Sequence, residues 1–366
     1  KPLDWVLVRG GFQHAVRAPS IGELFAPQNN NFPTIGNPGA ASTSGDPCDI
    51  RSAYRTGGLG FNAASVRALC LAQGVPAALV DAYTYGNSQV QTLTGGNTNL
   101  NAETANTYSI GAVFTPHFDM PLFKHMSLSV DYYNIQVKHF IGSVGTVTAI
   151  DKCFNAQAAN PTYSNTNPYC GLFIRDPSTG QVLTGNALNQ NLGQIKTSGE
   201  DIQFDWNFGF GALGWADRYG KIDLNVVVTH LESFKSNDVP GSPFNEFAGT
   251  IGGFGGALPE WKGLTTLTYS IGPVDLTGRW QYIDKMSDGS LVGAPAGATA
   301  VSPPSVSYFD LLGRWRVNDT FELRAGVNNV GDKQPPFFTS NVQANTDPSA
   351  YDVYGRRYYV AIKARF

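Results

Sequence analysis

Apolar and polar residues alternate with a period of two along most of the chain, in segments of roughly 9 to 13 residues, the length at which a tilted β-strand crosses a bilayer. The last segment is the clearest. Between Arg356 and Phe366, Tyr358, Val360, Ile362, Ala364 and Phe366 fall on one face, and Arg357, Tyr359, Lys363 and Arg365 on the other. Ile202, Phe204, Trp206 and Phe208 alternate likewise with Asp201, Gln203, Asp205 and Asn207, and Ile222, Leu224, Val226 and Val228 form a third such row. Trp5 to Gln13, Asn106 to Phe114, Ser127 to Lys138, Trp261 to Ile271, Val274 to Ile283, Ser307 to Val317 and Phe321 to Val330 complete a set of about ten predicted strands.

The connections between these strands alternate in length. Asn318-Asp319-Thr320 and the Gly272-Pro273 corner are tight turns, and those near 115 to 126 and 209 to 220 are modest. Long polar segments fall between them, near 14 to 105, 139 to 192, 232 to 260, 285 to 305 and 331 to 355. Short turns on one rim and long loops on the other are the pattern of an outer-membrane barrel, with short turns periplasmic and long loops extracellular. The predicted fold class is therefore all-β: an antiparallel transmembrane β-barrel, partial at about ten strands, with its C-terminus periplasmic. A soluble sandwich has no reason to sort its loops in this way.

Composition agrees. Charged residues are 14% of the chain, against the roughly 25% usual in soluble domains, with 41 glycines and 12% aromatic residues. No run of about 18 apolar residues marks a transmembrane helix. A net charge of -3, with Lys and Arg scattered, leaves no basic footprint for nucleic acid. Trp5, Trp215, Trp261, Trp280 and Trp315, with Tyr269, Tyr282, Tyr308, Tyr351 and Tyr354, lie near predicted strand ends, where interfacial aromatic girdles form. The alternative is that these rings form the core of a soluble β-protein.

Four cysteines form two local pairs, Cys48 with Cys70 and Cys153 with Cys170, in polar segments rich in Asn, Gly and Pro. Two loop disulfides are expected, each closing about twenty residues, worth on the order of 3 kcal/mol, and suited to an oxidising compartment. The spacings of a zinc site are absent.

Catalytic signatures are absent too: the sequence has no nucleophile elbow, P-loop, H-E-x-x-H or dinucleotide fingerprint, so no catalytic residue, metal or cofactor is assigned. His14, His117, His125, His139 and His230 are dispersed. Asp131, Asp201, Asp205, Asp223, Asp275 and Asp310 sit on polar strand faces, where they line a lumen or pair with Arg279, Arg314 and Arg324. Gly252 to Gly256 lacks the Lys-Ser/Thr of a phosphate cradle and reads as a flexible loop. A ligand held at a wet rim needs aromatic rings and amides. The candidates are Tyr54, Tyr83, Tyr85, Tyr163, Tyr169, Phe173, Phe244, Phe247 and Phe254.

Several stretches resemble those of TonB-dependent receptors. Arg9 to Phe25, RGGFQHAVRAPSIGELF, is similar to that family's strand followed by an R-A-P-x-x-x-E-L-F turn. Asn99 to Thr104 resembles its N-x-x-L-x-P-E-T segment, with Ala102 in place of the Pro. Asp131-Tyr132-Tyr133-Asn134 resembles the D-x-Y-x-I strand, and Thr197 to Asp201 the turn T-x-G-x-D/E. Phe321 to Pro335, FELRAGVNNVGDKQP, looks like L-x-x-x-V-x-N-L-F-D-K-x-Y, with Val330-Gly331 for Leu-Phe. Gly355 to Val360 and the final Phe366 resemble the G-R-x-Y/F terminal strand.

The resemblance implies a great deal about function. It implies a transporter of the bacterial outer membrane, not an enzyme. Its ligand is a scarce nutrient such as a siderophore, a cobalamin or an oligosaccharide, and its energy comes through TonB-ExbB-ExbD acting on a plug. It implies that the barrel-assembly machinery recognises the last strand through Tyr358, Val360, Ile362 and Phe366, an edge open to β-augmentation during insertion. A receptor of this class has 22 strands and a plug, so residues 1–366 are expected to be the C-terminal part of the barrel, without plug or upstream strands. Lys1-Pro2-Leu3-Asp4 runs straight into a strand with no initiating Met and reads as a cut through a larger protein. The rival readings are a passive or substrate-specific porin in the same membrane and a secreted, lectin-like β-protein.

Overall fold

The structure, a computed structural model, describes residues 3–116, 119–254, 256–293, 299–339 and 343–365. His117, Gly255 and Phe366 lie outside them. Ten long strands form one sheet: β1 (Val6–Arg17), β2 (Glu103–Phe114), β3 (Met126–Lys138), β4 (Gln194–Gly209), β5 (Lys221–Asn237), β6 (Trp261–Ile271), β7 (Val274–Ile283), β8 (Val306–Arg316), β9 (Phe321–Asn328) and β10 (Arg357–Ala364). They run in chain order, each antiparallel to the next. A meander of this kind needs only hairpin connections, and the ten strands are those the alternation predicts.

Register carries the alternation across the sheet. Leu224 faces Trp206 on one side and Leu267 on the other, Leu276 faces Tyr269 and Gly313, and Ala325 faces Val360. Because side chains change face at every residue, these pairings join into one apolar surface and put the intervening Asp, Arg, Thr and Gln on the opposite, polar surface. Tyr358, Val360 and Ile362 of β10 are each more than 70% exposed on the apolar side. Trp261 and Trp280 lie on that side by the same register, as does Trp315 opposite Leu323.

The largest departures from the expected boundaries are in β1, β4 and β5. β1 continues to Arg17, beyond the expected end at Gln13, because its second half pairs fully with Glu103 to Thr107. β5, of 17 residues, runs to Asn237, into the segment near 232 to 260 expected as loop, and β4, of 16, starts at Gln194 and takes in Thr197 to Asp201, expected as a turn, around a register shift at Ser198/Gly199. Pairing with a long neighbour outweighs the loss of alternation there.

All the short connections lie at one rim: 115–125, 210–220, 272–273 and 317–320. The two-residue β6–β7 turn needs Gly272, which sits at φ +51, a left-handed conformation costly for other residues. The opposite rim carries the five long loops, and the buried residues gather there. One cluster joins loops 18–102 and 139–193; a smaller one holds Ile251, Ile283, Met286, Val306, Tyr308, Phe338 and Tyr351. β1 and β10 each have one strand partner among the described residues, so the sheet is open at both edges.

Candidate functional site

The first two long loops build a folded body on the rim. Helix α1 (Ile21–Phe25) follows β1 directly and is started by a capping box between Ser20 and Glu23. Arg17, the last residue of β1, donates to Glu23 at 3.0 Å and to Glu103 of β2 at 2.6 Å. Glu103 also accepts the backbone N–H of Ile141 at 2.7 Å. One guanidinium therefore ties two strands, a helix and the start of the second loop together. This explains the RAPxxxELF and NLNAET segments as a clamp at the base of the loops. Arg17 first, then the backbone of Ser20, hold the Glu23 carboxyl down at about 2.

Above the clamp, α2 (Ala53–Thr56) and α3 (Ala63–Ala72) come from the first loop and α4 (Thr146–Cys153) from the second. Asn62 caps α3 by accepting from Ser65 N at 3.0 Å. The expected disulfides are both present, Cys48–Cys70 and Cys153–Cys170. Each lies inside one loop. Contact between the loops comes from a four-stranded sheet in which Thr92–Gly95 pairs in parallel with Gly185–Leu188. It comes also from Tyr54, whose ring stacks on Phe61 at 4.1 Å and meets Phe154 edge-on.

The aromatic ligand candidates separate by burial. Tyr54, Tyr83, Tyr85, Tyr169 and Phe173 are interior to the loop body, and Tyr163 packs against it, part-buried, accepting Asn62 N at 3.2 Å. Their hydroxyls are occupied: Tyr54 donates to Asp151 at 3.0 Å, Tyr83 to Asp46 at 2.9 Å and Tyr169 to Asp238 at 3.3 Å. Phe247 is buried, while Phe254 packs among Phe140, Phe234 and Phe247. Phe244 is 38% exposed, and the Lys196 ammonium lies 4.4 Å from its ring centre. The nine are thus brought to one rim, but most of their ring area is spent joining loop to loop.

The polar face of the sheet is laced with ion pairs. Arg9 reaches across β2 to Asp131, Arg279 pairs with Asp310, Arg314 with Asp275, and Arg324 with Glu322. Thr229 donates to Asp201 at 2.7 Å and Asn225 to Asp205 at 2.7 Å. The carboxylates expected on polar strand faces are there. Gly111 lies between Arg9 and Asp131 in the register, and a Cβ at that position would overlap the Asp131 carboxylate.

At the top of this face a polar hollow of about 390 Å³ is lined by Arg279, Tyr308, Asp310, Tyr351, Asp352 and Arg357, among others. Two of these residues correct an expectation. Strand-end position puts Tyr308 and Tyr351 in the interfacial girdles, yet they are 5% and 2% exposed, and Tyr308 Oη accepts from Asp352 N at 3.2 Å. Tyr308 shares parity with Asp310, so the alternation itself assigns it to the polar face. Tyr351 follows no periodic segment, and nothing in the sequence signals its place. Among the described residues, no group of three or more His, Cys, Asp and Glu converges as a metal centre would require.

A family model described as TonB dependent receptor-like, beta-barrel matches residues 1–330. No curated protein sequence matches the chain. The solved siderophore receptor PirA of Acinetobacter baumannii is similar over 100% of this chain and 40% of its own, at 17% identity and a TM-score of 0.53. The ferric enterobactin receptor PfeA of Pseudomonas aeruginosa, solved as a mutant in complex with enterobactin, is similar over 99% of this chain and 39% of its own, at 15% identity and a TM-score of 0.52. The chain spans about 40% of the length of the solved receptors it resembles, and the likeness is one of fold. With a match over most of its length, the chain belongs to the TonB-dependent receptor family, whose members are transporters of the bacterial outer membrane and not enzymes, and it folds as part of their β-barrel.

Proposed function

We propose that the chain is the C-terminal part of the barrel of an outer-membrane receptor that imports a scarce ligand, such as a siderophore, a cobalamin or an oligosaccharide, with energy passed from TonB-ExbB-ExbD to a plug. The observation that carries this reading is the sorting of one sheet into an apolar and a polar face, with every long loop at one rim and every short turn at the other. In this reading the apolar face meets lipid, the polar face lines the lumen, the long loops are extracellular and the C-terminus is periplasmic. A sheet open at β1 and β10 needs further strands to close and a plug to fill it. At the loops, Phe244 with Lys196, the part-buried Tyr163 and Phe254, and the hollow around Tyr308 and Arg279 offer the ligand contacts. The exposed β10 edge, with Tyr358, Val360 and Ile362, is what the barrel-assembly machinery would pair with.

The test is uptake of labelled candidate nutrients by cells producing the full-length receptor, with and without a working TonB. Uptake that requires TonB supports the reading. Undiminished uptake without TonB contradicts it and points to a passive porin.

A further inference from the structure

A hollow of about 360 Å³ opens between three of the long loops. Its wall takes Phe61 from loop 18–102, Thr148, Asp151, Lys152 and Gln157 from loop 139–193, and Ser290 from loop 284–305. Asp151 differs from the other enclosed carboxylates of this rim. Asp46 is paired with Arg175, Asp49 with Arg51 and Asp238 with Lys152. Asp151 has one hydroxyl, that of Tyr54, and no ion pair among the described residues. The neighbouring Lys152 is committed elsewhere, its ammonium held by Asp238 and 5.2 Å from the Tyr169 ring centre.

An enclosed carboxylate without a cation is costly to ionise. Burial pushes the Asp151 carboxyl up to about 7, against the lowering effect of the Tyr54 hydrogen bond. The backbone beside it is held in the left-handed region at three non-glycine residues, Asn155, Gln157 and Ala158, with φ of 71°, 54° and 53°. Strain of this kind persists where surrounding structure holds a site in shape. Phe61, largely buried and stacked on Tyr54, adds an aromatic wall next to the carboxylate.

We propose that this hollow binds a small organic cation, a protonated primary amine, whose ammonium pairs with Asp151, whose alkyl part lies against Phe61, and whose remaining N–H groups donate to Thr148, Gln157 or Ser290. A single carboxylate suits an ammonium and falls short of the several oxygens that a hard metal cation requires. An amine seated here touches all three loops and joins Ser290 to the body formed by the first two.

The test is calorimetric titration of the purified protein in detergent with n-butylammonium, n-butanol and butyrate, probes of matched size and different charge. The amine is expected to bind, and the alcohol and the acid to bind at least about tenfold more weakly. Affinity for the amine should rise from pH 5 to pH 8 as Asp151 ionises; Tyr54 and Lys152 are the other ionisable groups at the hollow. Asp151→Asn should lose about tenfold or more and flatten that pH profile, with its fold checked by heat-modifiable gel mobility. Equal binding of butanol, a flat profile in the unsubstituted protein, or no binding of the amine at all would overturn the proposal, and none of the three needs a variant. The titration uses no energy source, so its failure leaves the uptake reading standing.

Discussion

Arg175 and Asp46 are fully buried and paired through two hydrogen bonds of 2.7 Å, joining residues 129 positions apart in the first two long loops. The arginine also donates to the Gly180 carbonyl at 2.9 Å, and Tyr83 donates to the same aspartate. Removing one partner of such a pair leaves an uncompensated buried charge, at a cost of about 3–5 kcal/mol. Asp46→Asn is therefore expected to open the loop body and leave the sheet intact. Hydrogen exchange should report lost protection between 46 and 85 and between 146 and 185 with the strand amides unchanged; unchanged protection in the loops would contradict the assignment.

The disulfides act on the same body. Closing 22 and 17 residues, each is worth about 3 kcal/mol by loop entropy. Reduction is expected to make the segments 46–75 and 146–175 susceptible to protease before the strands are cut. A loop body equally resistant when reduced would mean that packing around Tyr54 and Phe154 suffices.

Asp151 sets a pH dependence with a definite sign. Its carboxyl is raised in the folded state, to about 7, from an unfolded value near 4. The folded state binds the proton more tightly, so this contribution is fully present below about pH 4 and is lost as pH rises through 7. A tenfold difference in proton affinity is worth about 1.4 kcal/mol, which bounds the loss at a few kcal/mol. In Asp151→Asn, loop-body stability should match that of the unsubstituted protein below about pH 4, exceed it increasingly between about pH 4 and 7, and keep the full excess at pH 8, measured by denaturant titration of loop fluorescence. A variant less stable at pH 8 would reverse the sign and sink the account of this group.

Gly111 occupies the row between Arg9 and Asp131, and the carboxylate passes over it. Gly111→Val is expected to separate the pair and shift the folding midpoint of the barrel in urea by the equivalent of about 1–3 kcal/mol. Gly10→Val, one residue from Arg9 on the apolar side, serves as the control, since a Cβ there meets only the Ser109 carbonyl at an ordinary contact distance of 3.5 Å. Equal effects of the two would show that the slot over Gly111 carries no special weight.

The strands are readable in the sequence because each long one has a polar and an apolar face, so the Ile202 to Phe208 row and the Tyr358 to Ile362 row each report both the strand and its orientation. The loop body is not readable. Its helices run four to ten residues, and its sheet depends on Thr92 meeting Gly185, a pairing that no local pattern encodes. Burial of Tyr54, Tyr83 and Tyr169 follows from that long-range assembly, and the sequence shows only that these rings lie in polar segments. Tyr308 is legible by parity with Asp310, and its nearness to a strand end points the wrong way. The RAPxxxELF motif is visible as a pattern, but its physical content, Arg17 bridging Glu23 and Glu103, needs three segments brought together.

The central claim is that adjacent residues of one strand face lipid and water in turn. It is tested most directly with spin labels at Leu276→Cys and Thr277→Cys on β7 and at Val360→Cys and Ala361→Cys on β10, in the protein reconstituted in bilayers. The account predicts that labels at 276 and 360 are relaxed by lipid-dissolved oxygen and shielded from a water-soluble nickel chelate, with the reverse at 277 and 361. Labels that meet the aqueous reagent equally at both members of each pair would contradict a membrane-spanning wall.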